Sequence, residues 1–300
     1  MRSSSINLRT GFCLTPGAVT SGMRCIRVTL AYDGTDYCGW QVQPNGPTVQ
    51  AALEDAIEKL THQRLSVTVA GRTDSGVHAL GQVAAFQIDS TIEIRKFRTG
   101  LQAFLPDDIV VVDAREAHEQ FHATYWAIKK RYRYVFHDGT VLLPFLRRYV
   151  HDVGRRLDVD AMQQAAEHLL GKHDFRCFES HFPNKATSVR TILDVSINRT
   201  GRWPCWMPAA VEHSQVQLSD FGPTAAVAFD DDFVSLEVEA DGFLYNMVRA
   251  IAGSLLRVGL GQWEPDRMKE VIDGMDRSQA GHTAPANALY LVNVDYRDQP

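Results

Sequence analysis

Cysteine is sparse in this chain: Cys13, Cys25, Cys38, Cys177 and Cys205 are five in 300 residues, and none forms a Cys-x-x-Cys pair. An odd, scattered set provides neither a disulfide framework nor a zinc ribbon, and a reducing cytoplasm is the expected compartment. Long apolar runs are also missing. None approaches the roughly 20 residues a membrane-spanning helix needs, so no membrane partner is expected. Positive charge is not in excess either, since Lys and Arg number 31 against 36 Asp and Glu, a formal net charge of -5. That balance does not advertise a nucleic-acid binder and does not exclude one. The phosphate-loop lysine is absent: Gly71 and Gly76 have the right spacing, but Val77 stands where lysine must be. Without a Gly-x-Ser-x-Gly elbow, a serine hydrolase is unsupported as well.

What is present is the composition of a soluble globular protein, 45% hydrophobic and 22% charged, in a chain long enough for two ordinary domains. Residues 1–22 lack acidic side chains and any continuous apolar core. They are read as a disordered extension, because Met23 directly precedes the first strand-like segment and could itself be the start.

Ile26, Val28 and Leu30 alternate with Arg27 and Thr29, as in a half-buried strand. Val49, Leu53, Ala56, Ile57 and Leu60 keep the spacing of one helix face, with Thr48 as N-cap. Residues 65–70 read as a strand, 71–76 as the loop leaving it, and 82–88 as a strand. Ile94, Phe97, Leu101 and Phe104 mark a helix ended by Pro106, and 109–113 is a strand. This β-α-β-β-α-β order is that of the split βαβ unit. A second round follows: a strand at 130–136, a helix through Met162 and Leu169 closed by Gly171, strands at 191–197 and 233–240, helices at 247–258 and 265–273, and a last strand at 289–296. Residues 198–229 carry Gly, Pro, Trp and Ser without period and read as a surface insertion. The expected fold is α+β: two similar split-βαβ (ferredoxin-like) halves with mixed, mostly antiparallel sheets. The expected domains are 23–125 and 126–300.

Basic clusters at Lys129-Lys130-Arg131-Arg133, Arg147-Arg148 and Arg155-Arg156 are each read as solvated faces. The segment His118-Glu119-Gln120-Phe121-His122 fits the zinc-protease pattern, which works only on a helix. Here it runs into Phe121, Tyr125 and Trp126, which favour a strand, and no third ligand is evident, so no metal is expected. Asp74 lies in Gly71-Arg72-Thr73-Asp74-Ser75-Gly76-Val77-His78. A loop aspartate between glycines is by default a turn former. Arg72 and His78 nearby, and a loop leaving a strand, make it a candidate reactive carboxylate and no more.

The stretch Gly71–Ala79 closely resembles the catalytic motif of the TruA family of tRNA pseudouridine synthases. The resemblance continues in order through Leu30–Thr35, Gly39-Trp40-Gln41, Thr48-Val49-Gln50, Phe121-His122-Ala123, Arg131-Tyr132-Arg133-Tyr134, Gly171–Phe175, Val189–Ile192, Phe243–Arg249 and Thr283–Ala286. It implies an enzyme that detaches a uridine base from its ribose and rejoins it through carbon 5, without cofactor. It implies a tRNA substrate modified in the anticodon stem-loop, at tRNA positions 38–40, bound in a cleft across a homodimer. Asp74 then matches the catalytic aspartate, which attacks C1′ or otherwise assists departure of the base. Arg249 matches its arginine partner, Tyr132 the tyrosine that stacks on the target base, Arg72 an RNA contact near the flipped nucleotide, and Leu244 a pocket wall. Ser75 stands where alanine is commoner, and Ala288 where glycine is usual. A non-catalytic RNA-binding protein on the same fold is the competing expectation. It would have no need of Asp74, Tyr132 and Arg249 together.

Overall fold

The computed structural model describes residues 22–180, 187–200 and 231–297. The expected extension at 1–22, except Gly22, and the expected insertion, except residues 198–200, lie outside the described residues. In the first half, β1 (Met23–Tyr32) buries alternate residues. The helix α1 (Val49–Thr61) turns Val49, Leu53, Ala56 and Ile57 inward, and the extended Thr48 caps it by accepting the Ala51 N–H at 3.3 Å. Then come β2 (Thr68–Val69), β3 (His78–Asp89), α2 (Ile94–Gln102) and β4 (Ile109–Ala117). The second half supplies β5 (Ala127–His137), β6 (His151–Asp152), α3 (Val159–Glu167), β7 (Gly171–Asp174) and β8 (Val189–Thr200). It ends with β9 (Phe233–Ala240), α4 (Met247–Gly259), α5 (Arg267–Gly274) and β10 (Leu289–Tyr296).

The strands form one sheet in the order β4-β1-β3-β10-β5-β9-β8-β7, with β2 paired to β3 and β6 to β5. Each half therefore has the same internal order. In the first it is β4-β1-β3-β2, and in the second β10-β5-β9-β8, with antiparallel pairing throughout. This is the split βαβ arrangement twice over, with one difference from expectation. The sheets are continuous, because β10 pairs parallel to β3 through Tyr290 and Leu291 beside His78 and Ala79. A single apolar core then runs beneath both halves, from Ile26 and Phe97 to Tyr134, Leu236 and Ile251.

Several local expectations change. The strand expected at 65–70 shrinks to Thr68–Val69. The third helix stops at Glu167, and Gly171, at φ +96°, opens β7 instead of closing the helix. The basic run on β5 is not a solvated face. Arg131 and Arg133 stand directly across from Glu239 and Glu237 on β9, and Arg133, 1% exposed, pairs with Glu237. Arg131 binds Glu237, Glu239 and Asp194, and Lys129 binds Glu239 and Asp295. Alternation explains the pattern: Tyr132, Tyr134 and Phe136 fill the helix-side core, so the cations occupy the other face, where β9 offers carboxylates. Among the described residues no helix is long and apolar enough to cross a membrane.

Candidate active site

Thr73 and Asp74 lie in the loop between β2 and β3, which is fastened from several sides. Gln82, buried on β3, donates to the Gly71 carbonyl at 2.7 Å. The hydroxyls of Tyr32 and Thr73 are 2.8 Å apart, and the Trp40 N–H donates to the Thr73 carbonyl at 3.0 Å. Val77 N–H closes a turn onto the Asp74 carbonyl at 3.1 Å, through Gly76 at φ +78°. Gly39 crosses so closely, at φ +90°, that a Cβ there would stand 2.7 Å from the Thr73 carbonyl oxygen. With Thr73 tied inward, Asp74 is turned into a cleft. Ser75 adds a bond of its own, its hydroxyl donating to the Tyr37 carbonyl at 3.1 Å. Ala288 is buried with no left-handed backbone, so a side chain fits there.

Arg249 approaches Asp74 from α4 in the other half of the chain. Its Nη1 stands 3.4 Å from Asp74 Oδ2 and donates to Asn246 Oδ1 at 2.9 Å, while its Nε donates to the Ala284 carbonyl at 2.7 Å. The guanidinium is thus fixed by two contacts shorter than the one it makes with the aspartate. The Asp74 side chain is 24% exposed. Burial raises its pKa, Arg249 lowers it by charge and hydrogen bond, and the net direction is upward. The carboxyl is therefore more basic than an ordinary aspartate, and among the described residues its Oδ1 accepts no hydrogen bond.

All the residues singled out from the sequence, Asp74, Arg72, Tyr132, Leu244 and Arg249, line this one cleft of about 1070 Å³. Tyr132 and Tyr134 share a strand face but diverge in surroundings. Tyr132 borders the cleft, with the Phe243 ring set edge-on to it at 5.0 Å. Tyr134 is fully enclosed, and its hydroxyl donates to the Pro285 carbonyl at 3.0 Å. Burial pushes both hydroxyls well above the ordinary tyrosine range, so neither ionises near neutrality. Arg72 is exposed and makes no hydrogen bond or ion pair with the described residues. The sequence reading gives no site role to Asn246, Ala284 or Lys130, of which Lys130 lines the cleft and donates to the Ala70 carbonyl. Asparagine directly before a helix is a recognisable cap signal, yet Asn246 serves Arg249 with its side chain from a left-handed backbone at φ 61°.

The His-Glu-x-x-His segment is neither a helix nor the strand expected of it. Residues 118–126 form turns, in which His118 Nδ1 accepts the Gln120 N–H and His122 Nδ1 the Thr124 N–H, both at 3.2 Å. Among the described residues no three His, Cys, Asp or Glu side chains are grouped to hold a metal ion. Chemically, the cleft offers a carboxylate held beside a fixed cation, an aromatic wall and, in Arg72, an exposed guanidinium with no partner among the described residues.

The family model described as tRNA pseudouridine synthase matches residues 29–126 and 165–297. A protein named tRNA pseudouridine synthase A from Acetivibrio thermocellus is 42% identical over 274 residues, covering 91% of this chain and 100% of the relative. Proteins of the same name are 38% identical over 274 residues in Thermoanaerobacter sp. strain X514 (91% and 100% covered) and 41% identical over 276 residues in Myxococcus xanthus (92% and 93%). Matches of this extent, running through both halves of the sheet and the cleft between them, mean that the chain belongs to the tRNA pseudouridine synthase family of uridine-isomerising enzymes.

Proposed function

We propose that the protein converts uridine to pseudouridine in the anticodon stem-loop of tRNA, in the cytoplasm, with Asp74 as nucleophile. The observation that carries this reading is the Asp74–Arg249 pair, a half-buried carboxylate and a guanidinium fixed 3.4 Å apart in a cleft also walled by Tyr132. In the first step an Asp74 oxygen bonds to C1′ while the N1–C1′ bond breaks, its electron pair leaving on the uracil ring. The ring turns, C5 bonds to C1′, and the Asp74 oxygen departs with its electron pair. Loss of the C5 proton and gain of one at N1 complete an isomerisation that consumes nothing, so no cofactor is assigned.

Arg249 aims the carboxylate and favours its ionised form. Tyr132, neutral and braced by Phe243, stacks on the target base. Arg72 meets phosphate or the space left by the extruded nucleotide, and Leu244 closes the apolar wall. We further assign the halves to domains meeting near residue 125, and the working unit to a homodimer with tRNA held across both copies. A dimer accounts for RNA binding by an acidic chain if the cations gather in one groove, and light scattering measures the mass directly.

The decisive experiment maps pseudouridine in unmodified tRNA after incubation with wild type and with Asp74→Asn. Wild type should modify the anticodon stem-loop, and Asp74→Asn should bind the same tRNA but leave its uridines unchanged. Activity in the variant equal to wild type would sink the nucleophile assignment.

A further inference from the structure

His78 opens β3 four residues after Asp74, is 2% exposed and does not line the cleft. Its ring lies where three separate segments meet. Carbonyl oxygens of Arg148 and Asn287 both stand 3.1 Å from Nε2, and since carbonyls only accept, Nε2 carries the proton and donates to them. The Gly34 N–H donates to Nδ1 at 3.1 Å, with Asp33 Oδ1 at the same distance. Asp33 Oδ2 in turn accepts the Tyr149 hydroxyl at 2.6 Å. Tyr290 stacks on the imidazole at 4.9 Å, Tyr149 tilts against it at 5.3 Å, and the Tyr290 hydroxyl donates to the Tyr149 carbonyl. The side chain of Asn287 donates to the carbonyls of Arg147 and Val150, holding the same turn from the other side.

Those contacts close a circuit around the candidate site. Arg249 donates to Ala284, and Ala284 N–H donates back to the Arg249 carbonyl at 3.0 Å. Three residues on, the Asn287 carbonyl receives His78 Nε2, and Gly76 passes close to Ala286 on the way. From His78 the chain runs back through Val77, whose N–H binds the Asp74 carbonyl. The two charged groups belong to elements 175 residues apart in sequence. One short bridge, His78 to Asn287, links the loop of the first directly to the segment that fixes the second.

We propose that His78 is a positioning residue for the reaction: its Nε2–H bridge to Asn287 sets the separation of Asp74 and Arg249 without touching substrate. This rests on the reading of Asp74 as the nucleophile. A loosened bridge leaves tRNA binding intact, because the groups that meet RNA lie in the cleft, but displaces the carboxylate from the sugar carbon. Misplacement of a reacting group by about 1 Å can cost about 100-fold in rate.

The test compares two substitutions at one position. Glutamine can place an N–H near Nε2, whereas asparagine reaches only as far as Nδ1. His78→Gln should keep kcat within a few-fold, and His78→Asn should lose about 100-fold in kcat, with KM for tRNA changed less than about two-fold in both. Wild-type kcat in folded His78→Asn, or equal loss in the two variants, overturns the bridge. Should His78→Asn fail to fold, His78→Phe decides, since it keeps a ring against Tyr149 and Tyr290 and removes the donor to the Asn287 carbonyl. A fall in kcat at constant KM supports the proposal, and an unchanged kcat rejects it. Asp74→Asn measured alongside separates the two claims. If it is active, the nucleophile assignment fails; if it is inactive while His78→Asn is not, only the bridge fails.

Discussion

Asp74 works against the stability of the protein that carries it. Burial raises its pKa more than Arg249 lowers it, so the folded state binds a proton more readily than the unfolded chain. Between the ordinary aspartate value, about 3.9, and the higher folded value, the folded state holds more protons. Its stability therefore falls as pH rises through that window, and the cost is complete above it. Asp74→Asn should melt at a higher temperature than wild type near neutrality and at nearly the same temperature near pH 3, which paired thermal scans would check. Rate should show the opposite dependence. The acid limb of kcat/KM should lie above the range of an ordinary aspartate, because the proposed nucleophile is the ionised carboxylate. Arg249→Met removes the lowering influence and leaves the burial, so the limb should move further up. A limb that stays put in that variant would mean that some other group titrates.

Among the elements, the loop between β2 and β3 depends on a neighbour far away in sequence. Gly39→Ala would place a Cβ at 2.7 Å from the Thr73 carbonyl and demand a left-handed backbone of alanine. A destabilisation of about 1–3 kcal/mol is expected from the strain, together with loss of kcat, since the carbonyl it displaces adjoins Asp74. Denaturant titration and single-turnover rates measure the two effects. Such a crossing has no local signature, which explains what could be read beforehand. The strands expected at 233–240 and 289–296 coincide with β9 and β10, each paired along its length within the sheet. Thr48 was legible as a cap for a local reason. Residues 65–67 alternate too but do not pair, and of the strand-forming aromatics in the 118–126 turns Phe121 packs against Arg27 and Tyr296 while Tyr125 stays exposed. Periodicity reports which side a residue faces and is silent on its partner. Composition and spacing therefore made Asp74 only a candidate. Arg249, Tyr132, Arg72 and Leu244 were reached through resemblance, since no local rule joins positions 74 and 249 or separates Tyr132 from Tyr134.

At the scale of the whole molecule, the candidate cleft draws on both halves, and a charged ladder stands inside the second half, close to the seam. Arg131, Arg133, Glu237 and Glu239 make a ladder across β5 and β9, and Arg133 is its most enclosed rung. Arg133→Met removes one partner of a buried pair and should destabilise the fold by roughly 3–5 kcal/mol. The double substitution with Glu237→Leu should recover much of that loss, and a chemical-denaturation cycle reads the coupling. Beside this ladder lies β10, paired to β3 on one edge and β5 on the other. A ribosome delivers β3 and β5 long before it delivers residues 289–296. Until those eight residues emerge, both inner strands present open hydrogen-bonding edges to any other nascent chain. Synthesis at about 5–20 residues per second makes that exposure last for many seconds after β3 is made, and a chaperone that shields strand edges would matter most during that interval.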